Sequence, residues 1–199
     1  YWLKLFGDGA YAMRSFNALC STLTLLLMLP IAWRVFGRTW AAVLVGAMVA
    51  FSPLQVIHAR EARYYALPTL LIAIALLAIL SHTHRQRRWK PLVAGVCLSG
   101  ALWCHNMMLL YLPAFALAWW WIDRRAFSRW GSDSAVCFAT AIALWLPWVP
   151  VLLQQIEWSH GRFWATVPTS QEVALTLAML VGIDGYAVNA AHWAAALTS

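Results

Sequence analysis

Six apolar runs of near-membrane length, each closed by charged or polar residues, dominate the chain. They are approximately Phe16 to Trp33, Trp40 to Ile57, Tyr65 to Ser81, Trp89 to Cys104, Met107 to Ile122 and Ser134 to Leu153. A spanning helix needs about 20 mostly apolar residues at 1.5 Å each. The runs therefore predict an all-α, polytopic transmembrane helix bundle of about six spans. Composition agrees, since 63% of the residues are hydrophobic and 11% charged, against about 45–50% and 25% in an ordinary soluble domain.

The fourth and fifth runs are separated only by His105 and Asn106. Merged into one helix from Pro91 to Ile122, they would extend about 48 Å across a core of about 30 Å, with His105 near the midplane. A tight hairpin avoids both problems, and charge supports it. The 14 Lys and Arg against 7 Asp and Glu give a formal charge of +7. In a soluble chain that excess would point to nucleic acid; on this background it reads as membrane topology, and no nucleic-acid partner is expected. One set of loops carries Arg34, Arg38, Arg85, Arg87, Arg88, Lys90, Arg124, Arg125 and Arg129, and the other carries Lys4, Arg14, Arg60, Arg63 and Arg162. The richer set is assigned to the cytoplasm.

Trp33, Trp40, Trp89, Trp119, Trp120, Trp121, Trp130, Trp148 and Trp158 cluster near the predicted span ends. They read as an interfacial belt rather than a sugar-stacking platform. Cys20, Cys97, Cys104 and Cys137 lie in apolar runs with no CxxC and no His beside them at metal-ligand spacing, and read as small buried hydrophobes. His82 and His84 fall in a basic loop suited to anionic headgroups and receive no chemistry.

The polar residues that positive-inside bias leaves unexplained collect on the opposite, extracytoplasmic side. They come from FSPLQVIHAREARYYAL between the second and third runs, WCHNMM at the hairpin, and QQIEWSHGRFW after the sixth run. The first segment sets three charges and a His against a span of Leu, Ile and Ala, where charge is costly unless it faces protein or a wet cavity. If that segment is helical, His58, Glu61 and Tyr65 share one face, and Arg60 and Tyr64 another. This suits an anionic-substrate site, in which Arg60 or Arg63 grips a phosphate while Glu61 with His58 orients it, contacts a divalent metal cation or moves a proton. It equally suits an Arg–Glu cluster that pins a short loop. His58 and Glu61 supply two potential metal ligands without a visible third, so no metal site is assigned. His105, Asn106, Glu157, His160 and Arg162 complete the candidate binding residues.

Thr169 and Glu172 form a capping-box pattern, predicting a helix to about Gly182. It is too short to span and is read either as an interfacial lid or acceptor platform or as an ordinary connecting helix. A single transmembrane domain over 1–199 follows: 1–15 the end of an outer loop, 16–153 six spans, and 154–199 an extracytoplasmic loop with the interfacial helix and the start of a further span. The chain opens at Tyr1 without an initiator Met and is expected to be an internal fragment of a longer membrane protein.

The string HAREARYYALPTLLIAIALL resembles a motif of GT-C membrane glycosyltransferases of the protein-mannosyltransferase and aminoarabinose-transferase type, in which an "EARMYAL"-like stretch opens a transmembrane helix. WLKLFGDGAYAMRSFNALCSTLTLLLMLPIAWRVFGR is similar to the segment that follows the family's first outer loop. LWCHNMMLLY resembles its later "THY" position, with Asn106 where an aromatic is usual, and Tyr64 stands where Met is frequent. The resemblance implies inverting transfer of a sugar from a polyprenyl-phosphate donor to a lipid, glycan or protein hydroxyl, on the extracytoplasmic face of a membrane, here expected to be a bacterial plasma membrane. It carries over to Glu61, Arg63, Tyr64 and, more loosely, His105. It also implies an acidic base in a first outer loop, expected to precede Tyr1. Arg side chains or a divalent cation would stabilise the lipid-phosphate leaving group. The competing expectations are a non-catalytic transporter or flippase of lipid-linked sugars, and a scaffold subunit.

Overall fold

The structure, a computed structural model, describes residues 2–7, 9–61, 65–85, 89–123, 127–159, 169–170 and 173. Among these residues helices dominate and no strand occurs. A short α1 (Trp2–Phe6) precedes α2 (Ala10–Phe36), whose Arg14–Phe36 stretch is long and apolar enough to cross a membrane. Gly37 ends α2 in the left-handed region at φ 66°, donating its N–H to the Trp33 carbonyl, a conformation glycine adopts without a Cβ clash.

The second apolar run folds as two helices, α3 (Thr39–Ala50) and α4 (Pro53–Arg60), bent by 54°. Pro53 causes the break. It has no N–H for the Val49 carbonyl, which instead accepts from Ser52 N at 3.3 Å, and its ring holds Ser52 extended at ψ 120°. The bent pair passes as a third stretch able to span. Next come α5 (Ala66–Arg85) and α6 (Trp89–Cys104). A 3-10 turn, Asn106–Leu110, then leads to α7 (Tyr111–Asp123). His105 is extended at φ −158° and ψ 125°, so the fourth and fifth runs are separate helices, as the length argument required.

After α8 (Phe127–Trp145) a second 3-10 turn, Leu146–Trp148, gives way to α9 (Val149–Ser159). Pro150 cannot serve the Leu146 carbonyl, so the Val149 N–H takes it. The whole stretch Gly131–Trp158 is long and apolar enough to span, and α9 continues past Leu153, where the apolar run ends. The apolar parts of α5 and α6, Ala66–Ser81 and Trp89–Cys104, reach about 24 Å each, somewhat short of a 30 Å core.

Packing fixes the directions. Leu29 meets Gly46, so α3 returns along α2. Cys20 packs with Ala66 and Leu70, and Ile31 with Ala73 and Leu80, so α5 runs parallel to α2. The α6 helix comes back beside α5, where the buried Lys90 donates from Nζ to the Ser81 carbonyl at 2.6 Å. The α8 helix runs parallel to α6, with Gly95 against Cys137 and Thr140 and Trp103 Nε1 donating to the Leu144 carbonyl at 3.1 Å. Ala75, Ile79, Ala94, Leu98, Phe115, Trp119, Cys137 and Ala141 form the core shared by α5 to α8. This alternation gathers the starts of α2, α5 and α7 with the ends of α4, α6 and α9 at one end of the bundle. Arg34, Arg38 and Lys90 occupy the other.

The tryptophan belt needs two corrections. Trp33, Trp40, Trp89, Trp120, Trp121 and Trp158 are exposed, but Trp119 is 1% exposed and packs near Phe138. Successive helical residues are about 100° apart, so a WWW run cannot keep all three rings outside. Trp148 is half-buried against Trp103. The four cysteines are free thiols, Cys20 and Cys137 fully buried, in keeping with a packing role. The expected helix from Thr169 to Gly182 lies mostly outside the described residues, Glu172 included; what is described there is a hydrogen bond from Val173 N to the Thr169 carbonyl at 3.1 Å.

The contact at Gly95 is testable. A Cβ there would meet the Cys137 carbonyl and come within 2.7 Å of Thr140 Cβ, whereas at Gly100 it would meet a flexible Leu71 methyl at 3.1 Å. Gly95→Ala is expected to destabilise the bundle by about 1–3 kcal/mol in denaturant unfolding in micelles, and Gly100→Ala by clearly less. Equal effects would contradict the close α6–α8 approach.

Candidate functional site

At the gathered end, the last turn of α4 supplies the first group. His58 Nδ1 lies 3.8 Å from Glu61 Oε2, and the His58 ring is 5.0 Å from that of Tyr65. The helix stops at Arg60 and Glu61 is extended, at ψ 142°. His58, Glu61 and Tyr65 thus meet around a helix end rather than along one continuous helix face. Asn17, 3% exposed inside α2, holds this turn by donating from Nδ2 to the Glu61 carbonyl at 2.6 Å. A polar side chain buried in an apolar span is costly unless bonded; here the bond ties α2 to the backbone of the candidate carboxylate.

Two polar atoms on α4 are buried without hydrogen-bond partners: Gln55 Nε2 and His58 Nδ1. They sit three residues apart, on one face. Each unpaired buried group costs about 1–3 kcal/mol; Ser21 Oγ and the indole nitrogens of Trp119, Trp145 and Trp148 share that state elsewhere in the bundle.

The break between α6 and α7 supplies the second group. His105 Nδ1 accepts from Met107 N at 3.0 Å, capping the 3-10 turn as an Asp or Asn would cap a helix. That acceptor role places the proton of a neutral imidazole on Nε2. The His105 ring is 6.1 Å from Tyr65, so an aromatic series His58, Tyr65, His105 links the α4 end to the α6 end. Beside it, Asn106 Nδ2 donates to Gln155 Oε1 of α9 at 3.1 Å. Trp103 and Trp148 stand 5.2 Å apart with planes tilted by 49°. A cleft of about 250 Å³ opens between these residues.

Of the residues singled out from sequence, His58, Glu61, Tyr65 and His105 come together, and Asn106 adjoins them. Arg60 is exposed at the end of α4, and Glu157 is exposed on α9. Arg63, Tyr64, His160 and Arg162 lie outside the described residues. Sequence reasoning passed over Asn17, Gln55, Trp103, Trp148 and Gln155. Asn17 carried a signal, being an amide within an otherwise apolar run; the tryptophans were masked by the belt that most of their kind do form.

A family model described as dolichyl-phosphate-mannose-protein mannosyltransferase matches residues 1–152. The chain belongs to that family. It is therefore a GT-C-type, mannosyltransferase-like integral membrane protein, and the family is one of membrane glycosyltransferases. No curated protein and no solved structure matches the chain. The family match spans the α4 and α6 ends and stops short of Gln155. Among the described residues no three His, Cys, Asp or Glu side chains converge. His58 and Glu61 supply two of the donors that a metal centre needs.

The Asn17 anchor is expected to matter for stability. Asn17→Leu leaves the Glu61 carbonyl without this donor and should cost about 1–3 kcal/mol in detergent unfolding. An unchanged midpoint would show that the contact holds nothing.

Proposed function

We propose that the complete protein transfers a sugar from a polyprenyl-phosphate donor to a hydroxyl of a lipid, glycan or protein acceptor, with inversion, at the extracytoplasmic face of a bacterial plasma membrane. Membership of the mannosyltransferase family supports the reaction class. The observation that carries its placement in this chain is the meeting of His58, Glu61, Tyr65 and His105 at one end of the bundle, with unpaired polar atoms of Gln55 and His58 beside them.

In such a transfer the acceptor oxygen attacks the anomeric carbon from the face opposite the phosphate. The carbon–oxygen bond to phosphate breaks, and its electron pair leaves with the polyprenyl phosphate. Arg63 of the EARxY stretch, together with Arg60 just before that stretch, is proposed to neutralise that charge through bidentate contacts that suit guanidinium. Tyr64 adds a hydroxyl at the same stretch. His58 can donate to a phosphate oxygen and exchange that proton with Glu61. The acceptor proton goes to the carboxylate that the resemblance assigns to a first outer loop. Preorganised charge in a site shielded from water is worth about 10²–10³ in rate for each such donor, which is why the Arg residues are the decisive ones.

Glu157, exposed on α9, and His160 and Arg162, which follow it in the sequence, are the residues proposed to meet the acceptor. The lipid chain of the donor would run between helices into the bilayer, leaving only sugar and phosphate at the boundary.

The test uses the complete protein in lipid nanodiscs with radiolabelled polyprenyl-phosphate mannose. Arg63→Ala and Glu61→Gln are each expected to lower transfer about 10²-fold or more while insertion and unfolding midpoint stay unchanged. Near-normal turnover would remove these residues from the site. Donor carried across the bilayer with its glycosidic bond intact would identify a flippase instead.

A further inference from the structure

We propose that Asn17 is a positioning residue of the transfer: its amide latches the end of α4 to α2, and the latch fixes the geometry of the His58–Glu61 pair. The catalytic half of this inference rests on the transferase reading. The latch itself can be observed without turnover.

The need for a latch comes from how α4 is built. Pro53 separates it from α3 by a 54° bend, so the hydrogen-bond ladder of α3 does not carry through to orient it. A helix ordinarily takes its place from a buried apolar face. No residue of α4 is fully buried, and Leu54, Val56 and Ile57 are exposed. By contrast α3, on the other side of the bend, buries Ala41, Ala42 and Gly46. Apolar packing therefore fixes the rotation of α4 only loosely, and a directional bond at its end has correspondingly more effect.

Asn17 supplies that bond at the residue where it matters most. The Glu61 N–H donates to the Ile57 carbonyl at 3.0 Å, and the Glu61 carbonyl accepts from Asn17 Nδ2 at 2.6 Å. These two groups belong to the peptide planes on either side of the Glu61 Cα. With one plane tied to α4 and the other to α2, Glu61 is held at φ −74° and ψ 142°. The direction in which its side chain leaves the backbone is then set. That direction brings Oε2 to 3.8 Å from His58 Nδ1, while the His58 ring stands 5.0 Å from that of Tyr65. Without the latch this turn can rotate, and the carboxylate and imidazole part.

The surroundings and the residue type both suit the role. Asn17 is 3% exposed, and inside a lipid-embedded bundle no water competes for either partner. Leu at this position keeps the bulk and loses the donor. Ser is too short to reach, and Gln keeps the donor on a chain one methylene longer.

The experiment uses the complete protein in nanodiscs, in a background free of the native cysteines, with spin labels at Val56→Cys on α4 and Val96→Cys on α6, both exposed positions. Double electron–electron resonance is expected to give one narrow distance in the parent, a broadened or displaced one in Asn17→Leu, and a parent-like one in Asn17→Gln. Thr24→Val is the control. Thr24 is equally buried on α2, but its hydroxyl donates within that helix, to the Cys20 carbonyl at 2.8 Å. With polyprenyl-phosphate mannose as donor, Asn17→Leu should lower kcat about 10–100-fold and leave the donor KM within about twofold. Asn17→Gln should regain most of that loss, and Thr24→Val should keep the parent kcat whatever its unfolding midpoint. Asn17→Ser gives the same reading if the leucine variant does not insert. A parent-like distance in the variants lacking the amide, or a kcat no lower than that of Thr24→Val, overturns the proposal. A displaced distance in those variants, from a parent that transfers no sugar from any lipid donor, keeps the latch and sinks the transferase reading.

Discussion

Inside lipid a backbone N–H or C=O has no water to turn to, so each interruption of a helix must find its own substitute partner. Among the described residues three helix breaks fall within or between the apolar runs, and each is resolved locally. Pro53 breaks the second run and Ser52 serves the freed carbonyl; the His105 imidazole caps the turn between the fourth and fifth; Val149 serves the carbonyl that Pro150 cannot. All three breaks lie on helices running toward the same end of the bundle. Irregular backbone is tolerated at membrane depth where it is covered by protein or lines a wet cavity, and here it surrounds the candidate site.

The two ends of the bundle consequently do different work. One end carries Arg34, Arg38 and the buried Lys90, whose Nζ is satisfied by the Ser81 carbonyl. At the other end Asn17 pins the Glu61 backbone, Gln55 and His58 keep unpaired polar atoms, and aromatic rings link the α4 turn to the α6 turn. Those atoms suit a partner that carries acceptors and charge, while Trp119 Nε1 and Ser21 Oγ are buried without partners elsewhere in the bundle.

Much of this was legible in the sequence because hydrophobic run length and charge placement are strong signals in lipid. The separation of the fourth and fifth runs, the alternation of directions and the gathering of His58, Glu61, Tyr65 and His105 at one end all follow from them. Element bounds were less legible. Pro53 sits inside an apolar run that reads as one span, and its 54° bend comes from a missing N–H, which hydropathy does not register. Trp119 and Trp148 show a different limit. Tryptophan at a span end is favoured by the interface and by packing alike, and only the neighbours Phe138 and Trp103 decide which applies. Asn17 depends on a partner 44 residues away, which no local pattern reveals.

Everything proposed for function requires that residues from distant runs share one face of the membrane. Sided thiol labelling of the complete protein tests that directly. In a background free of the native cysteines, Glu61→Cys, Asn106→Cys and Arg38→Cys would be treated with a membrane-impermeant maleimide in sealed vesicles of known orientation. The account predicts that positions 61 and 106 label together from the extracytoplasmic side and that position 38 labels only after the vesicles are opened. Labelling of 61 and 106 from opposite sides would contradict it.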